Sequence, residues 1–306
     1  MTPLRWLAVL LLAGCAAVPS PDAPRACEVR KAADIPVSFD HGAISVPASI
    51  DDKPVTLMVD TGSEASLVTP SAMAALRLQT DRRRRTTIRT AGGAITTQNA
   101  LLRSFAIGGL EMLNRSVAVG PLPGAPGAAL QGLLGADWLT DFDVELDLPN
   151  RRIGLYRAAG CGPDHAPWPG RTVSLPARIV GRGLVVLSAE LDGQPVSALL
   201  DSGANASILS SAAATRIGVT AAALAQDPSG QSVGIDGSAM PAHRHRFERF
   251  RIGTATYANP VVSVASMHTV LADLLLGLDW LRGNRVWISY AAHRVTLQPV
   301  GAPLAE

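Results

Sequence analysis

Two stretches of this chain carry nearly the same residues, Leu57–Ser63 (LMVDTGS) and Ala198–Ala204 (ALLDSGA). In each stretch an apolar run leads directly into an Asp, a hydroxyl residue and a Gly. A carboxylate at the end of a buried strand costs free energy unless a neighbouring group uses it. We therefore predict that Asp60 and Asp201 work as a pair that shares one proton and activates water.

The similarity between the two halves extends beyond these stretches. Residues 48–55 (ASIDDKPV) correspond without a gap to residues 189–196 (AELDGQPV), at the spacing that separates the two aspartates. Further along, residues 133–139 (LLGADWL) correspond to residues 275–281 (LLGLDWL). A repeat of this length predicts two homologous lobes in one chain rather than a solenoid.

Composition supports two folded domains. A length of 306 residues allows two cores, and 47% hydrophobic with 17% charged residues excludes a disordered chain. The 28 glycines and 22 prolines indicate many turns, as in a mostly β protein. The formal net charge of +2 gives no indication of a nucleic-acid partner.

Residues 1–14 are interpreted as a lipoprotein signal peptide. Arg5 supplies a positive charge, and the apolar run 6–12 is shorter than the roughly 20 residues that span a bilayer. The stretch 12–15 (LAGC) resembles a bacterial lipoprotein box, which implies lipidation of Cys15 and a membrane anchor in the periplasm. Because Ala16 follows, the outer membrane is the expected location. An ordinary cleaved signal peptide is the alternative.

Breaker residues divide the rest of the chain. The Pro- and Ala-rich residues 15–34 are predicted to be a tether, followed by an N-terminal lobe at 35–157. Six Gly and Pro residues mark 158–171 as a linker, and 172–300 form the C-terminal lobe.

Export bears on Cys27 and Cys161, which flank the N-terminal lobe. An oxidising compartment permits a disulfide between them, and two unpaired thiols are the alternative. No cysteine spacing typical of a metal site occurs, so no metal is expected.

Secondary structure is predicted from apolar runs and from turn residues around the two Asp motifs. Strands are expected at residues 44–50, 55–59, 104–107, 184–191, 196–200 and 247–252. Short helices are expected at residues 70–78 and 210–217, and near Asp137 and Asp279.

The residue order of the motifs suits acid–base chemistry. Two carboxyl groups about 3 Å apart cannot both ionise, so one retains a proton. Gly62 and Gly203 allow close backbone approach. The hydroxyl groups of Thr61 and Ser202 are expected to form hydrogen bonds across the axis between the halves.

The two Leu-Leu-Gly stretches complete a resemblance to the pepsin and retroviral-type aspartic peptidases. It implies a mostly β fold with two closed-barrel-like lobes related by a pseudo-two-fold axis. It also implies catalysis by Asp60 and Asp201 without a cofactor, and strands ending at Gly135 and Gly277 beneath the catalytic loops. The Arg of the retroviral Gly-Arg-Asp is replaced here by Ala136 and Leu278, so its ion pair is not expected.

The family's flaps, which close over substrate, have candidates in Gly92 and Gly93 and in Ile235 and Gly237. Ordinary hairpin turns are the alternative for both.

The two motifs differ in the residue that follows them, which is Ser63 after the first triplet and Ala204 after the second. A hydroxyl that donates to a carboxylate lowers its pKa, so Ser63 is expected to lower that of Asp60.

The expected function is therefore an aspartic endopeptidase, active as a monomer on extended peptides. A non-catalytic peptide-binding lipoprotein is the main alternative. A serine esterase built on Ser232 in Gly-x-Ser-x-Gly (230–234) lacks the required strand and helix. Two histidines, His243 and His245, are too few for a metal site. The run Arg82–Arg85 is expected to be a charged loop, with lipid head groups or acidic substrate as conceivable contacts.

Overall fold

The computed structural model describes residues 26–40, 42–90, 93–122, 130–234, 237–267 and 271–300. The described chain is mostly β and forms three sheets. One sheet belongs to each half of the repeat, and the third contains strands from both halves. The mostly β, two-lobe fold class is confirmed, whereas the pseudo-two-fold relation between the lobes stays a prediction.

The N-terminal sheet has eight strands. They are, in chain order, β2 (Ser38–Asp40), β3 (Ala43–Ile50), β4 (Lys53–Val59), β5 (Leu67–Val68), β6 (Gln79–Thr90), β7 (Gly93–Ile107), β8 (Leu110–Val119) and β9 (Gly132–Leu134). Their spatial order is β2-β3-β4-β9-β5-β8-β7-β6. Because β3 also pairs with β7, six of these strands close into a ring. The predicted closed-barrel character of this lobe follows from that pairing.

The C-terminal sheet repeats this order with one interruption. Its strands are β13 (Arg178–Val180), β14 (Leu184–Leu191), β15 (Gln194–Leu200), β16 (Ile208–Ser210), β17 (Ser229–Val233), β18 (Ala239–Arg246), β19 (Arg249–Ile252), β20 (Ala255–Ala258), β21 (Val261–Ala265) and β22 (Leu274–Leu276). Where β7 is continuous, the second half has β18 and β19. Strand β18 pairs with β21 and β19 pairs with β14, so the hydrogen-bonded path among the described strands stays open between β18 and β19.

The third sheet joins the halves and is called here the junction sheet. Its strands, in spatial order, are β1 (Glu28–Pro36), β11 (Arg152–Ala159), β10 (Asp143–Asp147), β23 (Asn284–Ser289), β24 (Arg294–Pro299) and β12 (Val173–Pro176). The two halves meet where β10 runs antiparallel to β23 over five residue pairs. Arg285 strengthens this contact through ion pairs with Glu145 and Asp147 of the first half.

Helices are few and short. They are α1 (Pro70–Leu76), α2 (Ala136–Leu139), α3 (Ser211–Arg216), α4 (Ala221–Leu224) and α5 (Leu278–Leu281), with a 3-10 turn at Leu148–Asn150. No helix in the described part of the chain is long and apolar enough to cross a membrane.

Local sequence explains the matched hairpins of the two halves. The segments 48–55 and 189–196 form the tight turns between β3 and β4 and between β14 and β15. Asp51 and Asp52 both have positive φ, and so do Asp192 and Gly193. Two successive residues with positive φ fit the twist of a two-residue hairpin.

The predicted tether is wrong at its C-terminal end. Residues 28–34 belong to β1, which pairs with β11 along its whole length. Ala33 and Ile35 are buried. Their alternation with exposed residues indicates a strand, which the surrounding Pro- and Ala-rich composition concealed.

The predicted linker is fixed to the junction sheet. Cys161 forms a disulfide with Cys27, which holds the start of β1 against the end of β11. His165 contacts Asp143 at 2.5 Å, and the indole N–H of Trp168 donates to Glu145 at 2.8 Å. The predicted linker is therefore attached to the junction sheet at Cys161, His165 and Trp168.

Candidate active site

Each motif aspartate lies at the end of a buried strand with a second strand beside it. The N–H of Asp60 donates to the carbonyl of Leu134 at 3.0 Å, and that of Asp201 donates to Leu276 at 3.0 Å. Strands β9 and β22 run parallel to β4 and β15 respectively, so both loops leave the sheets in the same way. The predicted strand beneath each catalytic loop is therefore present.

The two carboxyl groups meet across the lobes. Each lies directly over the glycine of the other motif: a Cβ on Gly62 would be 2.4 Å from Cγ of Asp201. A Cβ on Gly203 would be 2.5 Å from Cγ of Asp60. These distances leave no room for any side chain. Glycine at both positions is what lets the two carboxyl groups form a hydrogen bond with each other.

Burial and mutual repulsion change how this pair titrates. Burial, followed by the charge of Asp201, raises the pKa of Asp60 well above its ordinary value. Burial also raises the pKa of Asp201, against hydrogen bonds from the N–H groups of Gly203 and Ala204 at 3.0 and 3.1 Å. The pair therefore retains one proton as a unit. Asp60 is expected to carry this proton because it is the more buried of the two aspartates, with 6% of its surface exposed.

A reciprocal set of hydrogen bonds joins the two loops beneath the carboxyl groups. The hydroxyl of Thr61 donates to the carbonyl of Leu200 at 2.8 Å and accepts the N–H of Ser202 at 3.1 Å. The hydroxyl of Ser202 donates to the carbonyl of Val59 at 2.9 Å and accepts the N–H of Thr61 at 3.1 Å. Thr61 and Ser202 are both completely buried, so this clasp is shielded from competing water.

A second layer of polar residues supports each loop. Its two aspartates were expected near helix starts, whereas its two serines were not predicted. Asp137 accepts the N–H and hydroxyl of Ser66 at 2.8 and 2.7 Å. Asp279 accepts the same groups of Ser207 at 2.8 and 2.7 Å. The signal for the serines was present, since Ala-Ser follows each Asp motif at the same distance.

Gly135 and Gly277 are required by close packing. Their N–H groups donate to the hydroxyls of Ser66 and Ser207 at 2.9 and 3.1 Å. A Cβ on either glycine would lie under 3.0 Å from the backbone of the loop that it supports. Backbone contact of this kind excludes any larger residue.

Comparison with known families agrees with this geometry. A family model described as aspartyl protease matches the chain twice, at residues 46–138 and 187–280. Each match contains one motif aspartate and its supporting strand. The chain belongs to the aspartyl protease family. No curated protein matches it significantly.

In this aspartyl protease the described residues next to both flap candidates belong to paired strands. Strands β6 and β7 pair up to Thr90 and Gly93, and Gly92 lies outside the described residues. In the second half, Gly237 has φ of +80° in the connection between β17 and β18, and Ile235 lies outside the described residues. Flap function for these residues stays a prediction.

Two other sequence expectations need correction, and the rejection of a serine esterase agrees with the structure. The hydroxyl of Ser63 donates to the carbonyl of Ala65 at 3.1 Å, so Ser63 lowers the pKa of Asp60 through its backbone N–H and not through its hydroxyl as expected. The run Arg82–Arg85 lies in β6 rather than in a loop, and the register shift between Asp81 and Arg85 makes it a bulge. Ser232 lies within β17, without the strand-turn-helix that a serine nucleophile needs.

One of the two histidines of β18 has an acidic partner. His245 contacts Asp227 at 2.7 Å. No group of three or more metal-binding side chains occurs among the residues that the structure describes.

The clasp gives a prediction for the protease's stability. Thr61→Ala leaves the Ser202 N–H and the Leu200 carbonyl without their partner in a buried site. We expect the free energy of unfolding to fall by about 1–3 kcal/mol. Thr61→Ser is the matched control, because it keeps the hydroxyl and copies the residue that the second motif uses. Urea denaturation of both variants measures the difference, and equal losses would contradict a hydrogen-bonding role.

Proposed function

We propose that this aspartyl protease is an endopeptidase that hydrolyses peptide bonds with a water molecule activated between Asp60 and Asp201. The observation that carries the proposal is the position of the two carboxyl groups, each over the glycine of the other motif. A hydrogen-bonded pair of this kind supplies a base and an acid side by side at the same pH.

Each carboxyl group has a defined task in this reaction. The ionised carboxylate takes a proton from the water as its oxygen attacks the peptide carbonyl carbon. The protonated partner donates to the carbonyl oxygen, which becomes a hydroxyl of a tetrahedral diol. When the diol collapses, one of its hydroxyls returns a proton to the carboxyl group that is now ionised. The other carboxyl group gives its proton to the departing nitrogen as the C–N bond breaks. The pair is returned with one proton, so no cofactor is consumed.

The surrounding structure supports this chemistry by holding the carboxyl groups in place before substrate arrives. The Thr61–Ser202 clasp holds the two loops against each other, and the supporting strands β9 and β22 hold each loop to its own sheet. Preorganised polar groups of this kind avoid reorganisation during the reaction. Because one chain supplies both aspartates, we propose that the monomer is active, and that its substrate is a peptide in extended conformation.

Substitution of either aspartate tests this function. We expect Asp60→Asn and Asp201→Asn each to lower kcat/KM on a broad peptide library by about 10²- to 10⁴-fold, because each removes one proton-transfer group. Arg249→Gln, an exposed substitution away from the motifs, is the folding control. Cleavage that survives either change would reject the dyad. A well-folded wild type that binds peptides without cleaving them would instead favour the non-catalytic alternative.

We further propose that the protein is exported and anchored to a bacterial membrane, facing the periplasm, through lipid on Cys15. The stretch 12–15 supports the anchor, and the Cys27–Cys161 disulfide supports an oxidising compartment. Cys15 itself lies outside the described residues.

Metabolic labelling tests the anchor. A bacterial host fed a labelled fatty acid is expected to label the wild-type chain and to fractionate it with membranes. Cys15→Ser is expected to remove both the label and the membrane association. Labelling that persists in Cys15→Ser would contradict this assignment and favour another attachment.

A further inference from the structure

A cavity of about 230 Å³ lies beside the loop that carries Asp201. Its lining contains two arginines, Arg244 of β18 and Arg282 after α5. Asn205 and Ser263 add an amide and a hydroxyl, and Asp279 contributes the only acidic group of the lining. The size is ample for a carboxylate or a phosphate with its first water molecules.

The charge of this cavity is positive and unbalanced. Neither Arg244 nor Arg282 forms an ion pair with an acidic side chain in the described part of the chain. Asp279 directs its two oxygens to Ser207 and to the N–H of Trp280, at 2.7–2.8 Å. Two guanidinium groups with an amide and a hydroxyl match the hydrogen-bonding needs of an oxyanion.

The first half of the chain holds Arg282 in position. The ring of Phe39 in β2 lies 4.6 Å from the Arg282 guanidinium, a cation–π contact across the lobes. Gly42, in the turn after β2, packs against the side chain of Asn205, where a Cβ would be only 2.9 Å from Cγ. The hairpin of β2 and β3 therefore borders the cavity and restricts one of its arginines.

The matching positions in the first half carry different side chains. The position that corresponds to Asn205 is Glu64, whose carboxylate accepts the N–H of Arg182 at 3.2 Å. The position that corresponds to Arg282 is Thr140, whose methyl lies so close to Gly183 that a Cβ there would be 2.4 Å away. The hairpin of β13 and β14 occupies this place. Charge thus differs between otherwise matching surroundings of the two aspartates.

The cavity is close enough to the carboxyl pair to take part in substrate binding. Asn205 follows Asp201 by four residues, so at most about 14 Å separates their Cα atoms. An extended peptide rises about 3.3 Å per residue. A side chain within about four residues of the cleaved bond is therefore within reach.

We propose that the Arg244–Arg282 cavity is a subsite that binds an oxyanion, supplied by an acidic side chain of the peptide substrate. This proposal rests on the proposed peptidase function, and it names part of the substrate class. A free inorganic anion has the same chemistry and is the other source that the experiment must distinguish.

Paired peptides test the subsite. Each pair differs only by Glu or Gln at one position, and the pairs scan four positions on each side of the cleaved bond. We expect the full chain to prefer Glu at one position by about 10- to 100-fold in kcat/KM, the worth of one charged hydrogen bond. Arg244→Gln and Arg282→Gln are each expected to reduce this ratio to about 1.

A matched control lies on the same strand as Arg244. The guanidinium of Arg246 donates to the carbonyl of Asn259 at 3.2 Å and does not line the cavity. Arg246→Gln removes one positive charge from β18 and is expected to keep the Glu preference. Loss of the preference in Arg246→Gln as well would indicate a general charge effect and would overturn the subsite.

A second arm needs no catalysis and so separates the two proposals. Inorganic phosphate is titrated while the Tm of the wild type and of Arg282→Gln is followed. No Glu preference, with a phosphate-induced rise in Tm only in the wild type, supports the oxyanion site with a free anion as its source. Neither a Glu preference nor such a rise overturns the subsite. Cleavage that is unaffected by Asp60→Asn rejects the peptidase function whatever phosphate does.

Discussion

Two acidic groups are held in contact where water has little access, and the rest of the fold makes that contact possible. Bringing two carboxylates together at low exposure is unfavourable, and the cost falls when the pair holds one proton and accepts N–H groups from its own loops. The clasp between Thr61 and Ser202 fixes the loops, while the junction sheet fixes the lobes that carry them. Removing the glycine opposite either aspartate would separate the pair by steric contact alone.

The repeat of one unit in the two halves accounts for most of this arrangement. Differences between the halves make the two sides of the site unequal. The two halves share their hairpin turns, their capped helices and their Ser–Asp supports. They differ at Glu64 and Asn205, and at Thr140 and Arg282, each of which contacts a hairpin of the opposite lobe. A peptide can bind a symmetric cleft in either direction, so unequal charge at matched positions gives the site a means of selecting one direction.

Much of this structure was accessible from the sequence because the repeat fixed residue correspondences. The strands entering Asp60 and Asp201 were predicted since buried apolar runs ending in turn residues have few alternatives. The helices after them were predicted too, and Thr69 and Ser210 cap them by the same hydrogen bond. The resemblance to aspartic peptidases supplied the Leu-Leu-Gly strands.

Other features depend on contacts that local patterns do not encode. The pairing of β1 with β11 is non-local. The alternation of buried and exposed residues in β1 is weak, and it occurs next to a Pro-rich stretch that conceals it. The hydroxyl of Ser63 donates to the carbonyl of Ala65 instead of to Asp60, which only the turn geometry reveals. The cavity at Arg282 is lined by residues from the loop after Asp201, from β18, from β21 and from the α5 region, whose convergence no single segment indicates.

Carboxyl ¹³C NMR of protein labelled at aspartate, followed through a pH titration, tests most directly whether Asp60 and Asp201 hold a single proton. Asp60→Asn and Asp201→Asn spectra assign the two resonances. The account predicts that the two groups titrate as a coupled pair and that the pKa of Asp60 lies well above the ordinary aspartate pKa of 3.8. Two independent titrations near that value, each unaffected by substitution of the other residue, would contradict it.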